Sequence, residues 1–160
     1  SGNLISVGAS KTDGTIATFS NYSPKFVDVL APGVGIEGAI PGHSTIIMSG
    51  TSSAAPFVSG VAGGMKDINR DLRPIDIRNL IMGTVDVHSE LKEKVMSSGV
   101  VNKKRAFRAA ELTKTMPLSD AIAISNKELR GSITLRRYSA SENIMFTLPL
   151  RPLQATDFNQ

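Results

Sequence analysis

The pattern of apolar and polar positions changes character twice along the chain, and each change predicts a different kind of element. Leu4 to Val7 is a short apolar run closed by Gly8, and KTDGT (Lys11 to Thr15) has the composition of a turn in which Gly14 can take a positive φ. A strand, a turn and a second strand are predicted there. Phe26 to Leu30 (FVDVL) is rich in β-formers and stops at APG, Ala31 to Gly33. Ile36 to Ile40 and Thr45 to Met48 flank the turn PGH (Pro41 to His43), which predicts a hairpin leading up to Ser49.

Beyond Ser49 the period lengthens. Ala54, Ala55, Val58, Val61, Ala62 and Met65 recur at threes and fours, the spacing of a helix with small side chains on most faces, suited to burial all round. Pro56 has no N–H and belongs in a first turn, so the helix is predicted to start near Thr51 to Ser53, with Ser52 at its N-terminus. Pro74 with Ile77, Leu80 and Ile81 announces a second helix that Gly83 stops. A third is predicted over Lys103 to Leu112, and a short one within Ser89 to Met96. After Pro117 the second change comes: AIAI (Ala121 to Ile124), SITLRRY (Ser132 to Tyr138) and IMFTL (Ile144 to Leu148) read as three strands, with Gly131 and SASEN (Ser139 to Asn143) as turns. A boundary near 113–119 divides the chain into residues 1–118 and a β-rich extension over residues 119–160.

Composition narrows the class without naming a function. With 160 residues and 41% apolar content the chain can build one domain with a real core. Its net charge of +4 is spread out, apart from Lys103, Lys104, Arg105 and Arg108. In that stretch Val100, Val101, Ala106, Phe107 and Ala109 form the packed side of the same helix, which argues against nucleic-acid binding. The absence of cysteine removes disulfides and thiolate metal sites, and no apolar run is long enough to span a bilayer. A strand predicted to begin at residue 3, in a chain that does not begin with methionine, raises the expectation of a fragment or processed product.

The chemistry concentrates at SGTSSAAPFVSGVAGG, Ser49 to Gly64. A serine hydroxyl is a weak nucleophile at neutral pH. At a helix N-terminus it stands beside free backbone N–H groups and the positive end of the helix dipole, which can stabilise an oxyanion. Gly50 lets the chain turn into the helix and a peptide approach closely, and small residues at 53 to 55 keep that approach open. The plainer reading is that Thr51 or Ser52 only caps the helix.

The wider pattern favours the chemical reading. GTSSAAPFVSG, Gly50 to Gly60, resembles the signature around the nucleophilic serine of subtilisin-like serine proteases. NLISVGASKTDGTIATFSNYS (Asn3 to Ser23), VDVLAPGVGI (Val27 to Ile36) and SSGVVNKKRAFRAAEL (Ser97 to Leu112) resemble the same family in the same order. The resemblance implies an α/β fold: part of a three-layer subtilisin-like domain with a mainly parallel sheet, here followed by the β-rich extension. It implies Ser52 as nucleophile, with the Ser52 N–H as one oxyanion donor and Thr51 assisting. Ser53 stands where many members have methionine and Phe57 where many have histidine; neither removes the nucleophile. Asp28 matches a position that in some members helps to hold a weakly bound cation, calcium or a monovalent ion, against the alternative of a solvated or capping carboxylate. No cofactor is required for the chemistry, and secretion is the family's commonest setting.

The same resemblance exposes a gap. The family order is Asp, His, Ser, with the histidine roughly 150 residues before the serine in subtilisin, whereas 51 residues precede Ser52. The aspartate, the histidine and the side-chain oxyanion asparagine are therefore expected upstream of Ser1. His43 follows PG in a turn nine residues before Ser52 and His88 lies beyond the second helix; as lone histidines they are weak evidence for catalysis, so a structural or solvated role is expected for both. Loss of the histidine in subtilisin lowers turnover by about 10⁶. The chain is accordingly expected to be inactive alone and to pair with a complementary N-terminal chain or with itself, because cutting a parallel sheet leaves unpaired strand edges. Its substrate would be a polypeptide. Two rival readings stand beside this one: a non-catalytic subtilisin-like binding or structural module, and a partner-docking surface on the extension that includes Arg136, Arg137 and Arg151.

Overall fold

The computed structural model describes residues 2–129. In chain order the elements are β1 (Val7–Ser10), β2 (Val29–Pro32), β3 (Ile36–Ile40), β4 (Ser44–Met48), α1 (Thr51–Ile68), α2 (Pro74–Gly83), β5 (Asp86–Val87), β6 (Gly99–Val100), α3 (Lys103–Leu112) and α4 (Leu118–Glu128). A single turn of 3₁₀-helix, Ser89–Leu91, lies between β5 and β6.

The main sheet has the order β1-β2-β6-β5. β1, β2 and β6 run parallel, with Val7 beside Val29 and Leu30 beside Val100, and β5 closes the sheet antiparallel to β6. Every residue of β2 is buried because both faces of the sheet are covered. Alternation sorts its side chains: Val29 and Ala31 join the cluster under α1, while Leu30 points the other way to Val27, Leu91, Val95 and Val100. Helices on one face and the 89–95 segment on the other make the layered α/β arrangement that the sequence implied.

α1 buries Ala54, Val58, Val61 and Met65, one residue per turn on the side that faces β1 and β2. α3 comes in close at Gly64, where an added Cβ would lie 2.5 Å from the Phe107 ring. α2 and α3 form over the predicted residues, α2 with Pro74 at its first position and α3 with Asn102 capping the Arg105 N–H at 2.9 Å. The hairpin β3–β4 is also present, in register Ile36 to Met48 through Ile40 to Ser44.

Several expectations are corrected. The first strand covers Val7–Ser10 and takes in Gly8, where a Cβ would meet the Leu30 side chain at 2.6 Å. The expected strand after the 11–15 turn reduces to one antiparallel bridge between Ser10 and Ile16. The next strand begins at Val29 because Ser23 Oγ accepts the N–H groups of Lys25 and Phe26, turning that segment and leaving Phe26 exposed. Pro56 is the sixth residue of α1, beyond its first turn. It is tolerated because the carbonyl deprived of a partner is that of Ser52, in the exposed first turn.

The largest correction concerns Ala121 to Ile124, expected as a strand and found inside α4. Leu118, Ala121, Ile122 and Ser125 share one helical face that packs on α2 and α3. Ser125 Oγ donates to the Arg105 carbonyl at 2.8 Å, Asn126 Nδ2 donates to the Gly83 carbonyl at 2.9 Å, and Ile122 fills the space at Gly83 that a side chain would occupy. Residues 118–128 are therefore helical and continuous with the core. The other two expected strands, Ser132 to Tyr138 and Ile144 to Leu148, and Arg136, Arg137 and Arg151 lie outside the described residues.

The basic stretch is drawn inward. Arg105 is 8% exposed and donates to the carbonyls of Thr84 and Val85 and to Asp86 Oδ1, the last at 2.7 Å. Arg108 pairs with Glu128 at 2.8 Å, and Lys103 lies over the Phe107 ring. No helix among the described residues is long and apolar enough to cross a membrane.

Candidate active site

The site is assembled at the carboxyl ends of β1 and β2, where an open parallel sheet places its ligands. Four backbone bonds stack there. Gly33 N–H donates to the Ser10 carbonyl at 3.1 Å, Gly50 N–H donates to the Gly33 carbonyl at 2.8 Å, and the Gly50 carbonyl accepts from Ser53 and Ala54 at 3.0 and 3.3 Å. The end of each strand is thus tied to the start of α1, and Ser52 is held one residue inside it.

Gly50 is the N-cap, and no side chain caps the helix. Its φ of 161° and ψ of 163° describe extended backbone, open to any residue, so the sharp turn expected of this glycine is not what requires it. The constraint is proximity: a Cβ at position 50 would lie 3.0 Å from Ser52 Oγ and crowd the hydroxyl. Gly33 is confined more severely, with Ala9 Cβ at 2.6 Å, the Gly50 carbonyl oxygen at 2.8 Å and Ala54 Cβ at 3.3 Å from where its own Cβ would stand. Ala54, expected to keep the approach open, is fully buried against this junction.

Ser52 is exposed, and Thr51 and Ser53 are half-buried on either side. Among the described residues neither the Ser52 hydroxyl nor the N–H groups of Thr51 and Ser52 have a hydrogen-bond partner. These N–H groups open an 18-residue helix whose aligned peptide dipoles amount to roughly half a positive charge at this end. An oxyanion formed at a carbonyl attacked by Ser52 Oγ would meet that charge. Gly50, Thr51 and Ser52 are the cap and the first two residues of α1.

The remaining candidates fall elsewhere. His43 has a φ of 57° at the exposed tip of the β3–β4 hairpin. His88 packs its ring over Gly14, where a Cβ would meet Cε1 at 2.7 Å, and lies 3.9 Å from Glu90. Phe57 is half-buried against the main core, in keeping with a packing role. Asp28 is 6% exposed and both its oxygens are engaged: Oδ2 accepts the Ser6 N–H at 2.9 Å, and Oδ1 accepts Arg78 at 2.6 Å. A guanidinium thus supplies the positive charge that a cation would bring, and the described residues contain no group of three metal-ligating side chains around it. That pairing joins positions 50 residues apart and left no mark in the sequence.

Sequence reasoning also missed Ser49, whose Oγ accepts the Gly35 N–H at 3.0 Å across the base of the hairpin. The signal was absent because the contact depends on hairpin register. Gly33 was read only as part of a turn.

The alkaline elastase YaB of Bacillus sp. (strain YaB) is 36% identical over 106 residues, 66% of this chain and 27% of that protein. Subtilisin Savinase of Lederbergia lenta is 34% identical over 106 residues, covering 66% and 38%. The thermophilic serine proteinase of Bacillus sp. (strain AK1) is 44% identical over 84 residues, covering 52% and 20%. The chain thus spans between 20% and 38% of the length of these relatives. Among solved structures, the patellamide maturation protease PatA superposes with a TM-score of 0.56 at 31% identity, over 68% of this chain and 43% of that one. The A-subunit of an AB5 toxin from E. coli gives 0.58 at 26% identity, over 66% and 37%. The subtilase family model matches residues 1–115, from before β1 to just past α3, and on that match and these likenesses the chain belongs to the subtilase family.

Proposed function

We propose that this chain carries the nucleophile of a serine endopeptidase and works together with an N-terminal portion that supplies the aspartate, the histidine and the side-chain oxyanion donor. The observation that carries the reading is Ser52 itself, exposed at the start of α1 beside unpartnered N–H groups. In the reaction, Ser52 Oγ attacks the carbonyl carbon of a peptide bond while a histidine takes its proton. The oxyanion is held by the Ser52 N–H, with Thr51 at the rim, and collapse expels the amine to leave an acyl-enzyme that water then hydrolyses. No metal or cofactor enters this chemistry.

Dependence on an N-terminal portion is supported from two sides. His43 is exposed at the tip of the hairpin and His88 packs over Gly14, and among the described residues neither is hydrogen-bonded to Ser52. β1 is an edge strand, and the backbone of Ile5 and Val7 on its outer side has no strand beside it among the described residues. A parallel sheet does not end on an open edge of this kind without a cover. The partner is therefore a complementary N-terminal segment, with self-association through the same edge as the competing outcome. The substrate is a polypeptide, and the setting is extracytoplasmic.

Native mass spectrometry of the purified material, followed by denaturation and identification of every chain, tests this. A polypeptide carrying Asp and His motifs, covalently continuous with this chain or bound to it, together with peptide cleavage abolished by Ser52→Ala, supports the reading. Self-paired 17.0 kDa chains with no cleavage would favour the non-catalytic module.

A further inference from the structure

We propose that Ser49 is a positioning residue for Ser52, its hydroxyl coupling the β3–β4 hairpin to the start of α1. The backbone ladder of the hairpin ends at the pair Ile36 and Met48. One residue further, Gly35 has a φ of +68°, which turns its strand out of register, so a backbone pair with residue 49 is lost. The Ser49 side chain fills the gap: its Oγ accepts the Gly35 N–H at 3.0 Å. The next tie is the Gly50 N–H to the Gly33 carbonyl at 2.8 Å, and the Gly50 carbonyl then enters the helix. The bonds form one unbroken line from the hairpin to the residue that lies two before the nucleophile.

The Gly35–Ser49 bond is exposed, so water can replace it at little cost in global stability. What it controls is local. Without it, the base of the hairpin is held by the last ladder pair, Ile36 and Met48, and by the Gly50 N–H to the Gly33 carbonyl, and the hairpin can pivot between these two ties. The open side of Gly50 faces Ser52 Oγ, which a Cβ there would meet at 3.0 Å, so such a pivot moves the hydroxyl relative to the helix dipole. Small displacements of a reacting atom reduce rate steeply while leaving binding intact. Ser49 touches no reacting atom; it acts through Gly50.

The kinetic half of this inference rests on the proposed role of Ser52, and hydrogen exchange tests the coupling apart from it. In the assembled protein, Ser49→Ala is expected to speed amide exchange at both Gly35 and Gly50 by about fivefold to tenfold, the effect of one net hydrogen bond. Val58 and Val61 should be unchanged, and Ser49→Thr should restore protection. Where Ser52-dependent cleavage is present, Ser49→Ala lowers kcat with KM unaltered, and Ser49→Thr recovers it. Unchanged exchange at Gly50 in Ser49→Ala, whether or not Gly35 accelerates, overturns the coupling. A wild-type protein without Ser52-dependent cleavage overturns the nucleophile reading alone, because Gly50 exchange still decides the role of Ser49.

Discussion

The carbonyl of Gly33 receives the N–H of Gly50 at 2.8 Å, and through that bond the end of β2 is joined to the first turn of α1. Space at the junction is as restricted as the hydrogen bonding. The atoms around the missing Gly33 side chain are Ala9 Cβ, Ala54 Cβ and the Gly50 carbonyl oxygen, none of which can rotate aside.

Gly33→Ala should therefore cost about 1–3 kcal/mol in chemical denaturation of the assembled protein, the usual penalty of overpacking. It should also reduce Ser52-dependent cleavage, since the backbone that must shift includes Gly50. Gly63 provides the contrast: nothing lies within 4 Å of its missing Cβ, and Gly63→Ala in the middle of α1 should stabilise by about 0.5–1 kcal/mol.

Asp86 holds Arg105 at 2.7 Å and also accepts Asn102 Nδ2 at 3.0 Å, so one carboxylate serves both a buried guanidinium and the cap of α3. Asp86→Ala should destabilise by about 1.5–3 kcal/mol, the range for hydrogen bonds to charged groups. Glu111→Ala removes an exposed pair with Lys114 and should stay within about 0.5 kcal/mol. Equal effects of the two variants in denaturation would show that the buried network carries no special share of stability.

The docking of α4 is expected to be acid-sensitive. Hydrogen bonds from Arg108 hold the Glu128 carboxyl below its ordinary 4.5, so folding favours the charged form. The stabilisation is complete above 4.5 and is lost as pH falls through the lowered folded value. Amide exchange at Ala121 and Ser125 should rise in that acid window, and Glu128→Gln should remove this part of the pH dependence. The capping-box carboxylate of Asp76, lowered by hydrogen bonding from Arg73, behaves with the same sign at the start of α2.

What was legible in the sequence was local. Pro74 with Gly83, the apolar spacing of Ala106, Phe107 and Ala109 within Lys103 to Leu112, and the PGH turn between two apolar runs placed α2, α3 and the hairpin because each signal lies within or beside the element it defines. The place of Ser52 at the start of α1 was legible for the same reason. The helical face of α4 was not, because AIAI alternates like a strand and the helix is stabilised by distant partners at Gly83 and Arg105. The two-residue strands β5 and β6, the Asp28–Arg78 pair and the Gly33–Gly50 contact likewise depend on where the chain returns in space.

The most direct measurement is covalent labelling by a serine-directed fluorophosphonate, read as intact mass and mapped to the modified residue, with and without the N-terminal portion. Modification of Ser52 in the assembled protein, lost in Ser52→Ala and negligible in the rigorously isolated chain, is the predicted result. An assembled protein that takes no label at Ser52, or an isolated chain labelled as fast as the assembly, would contradict the account.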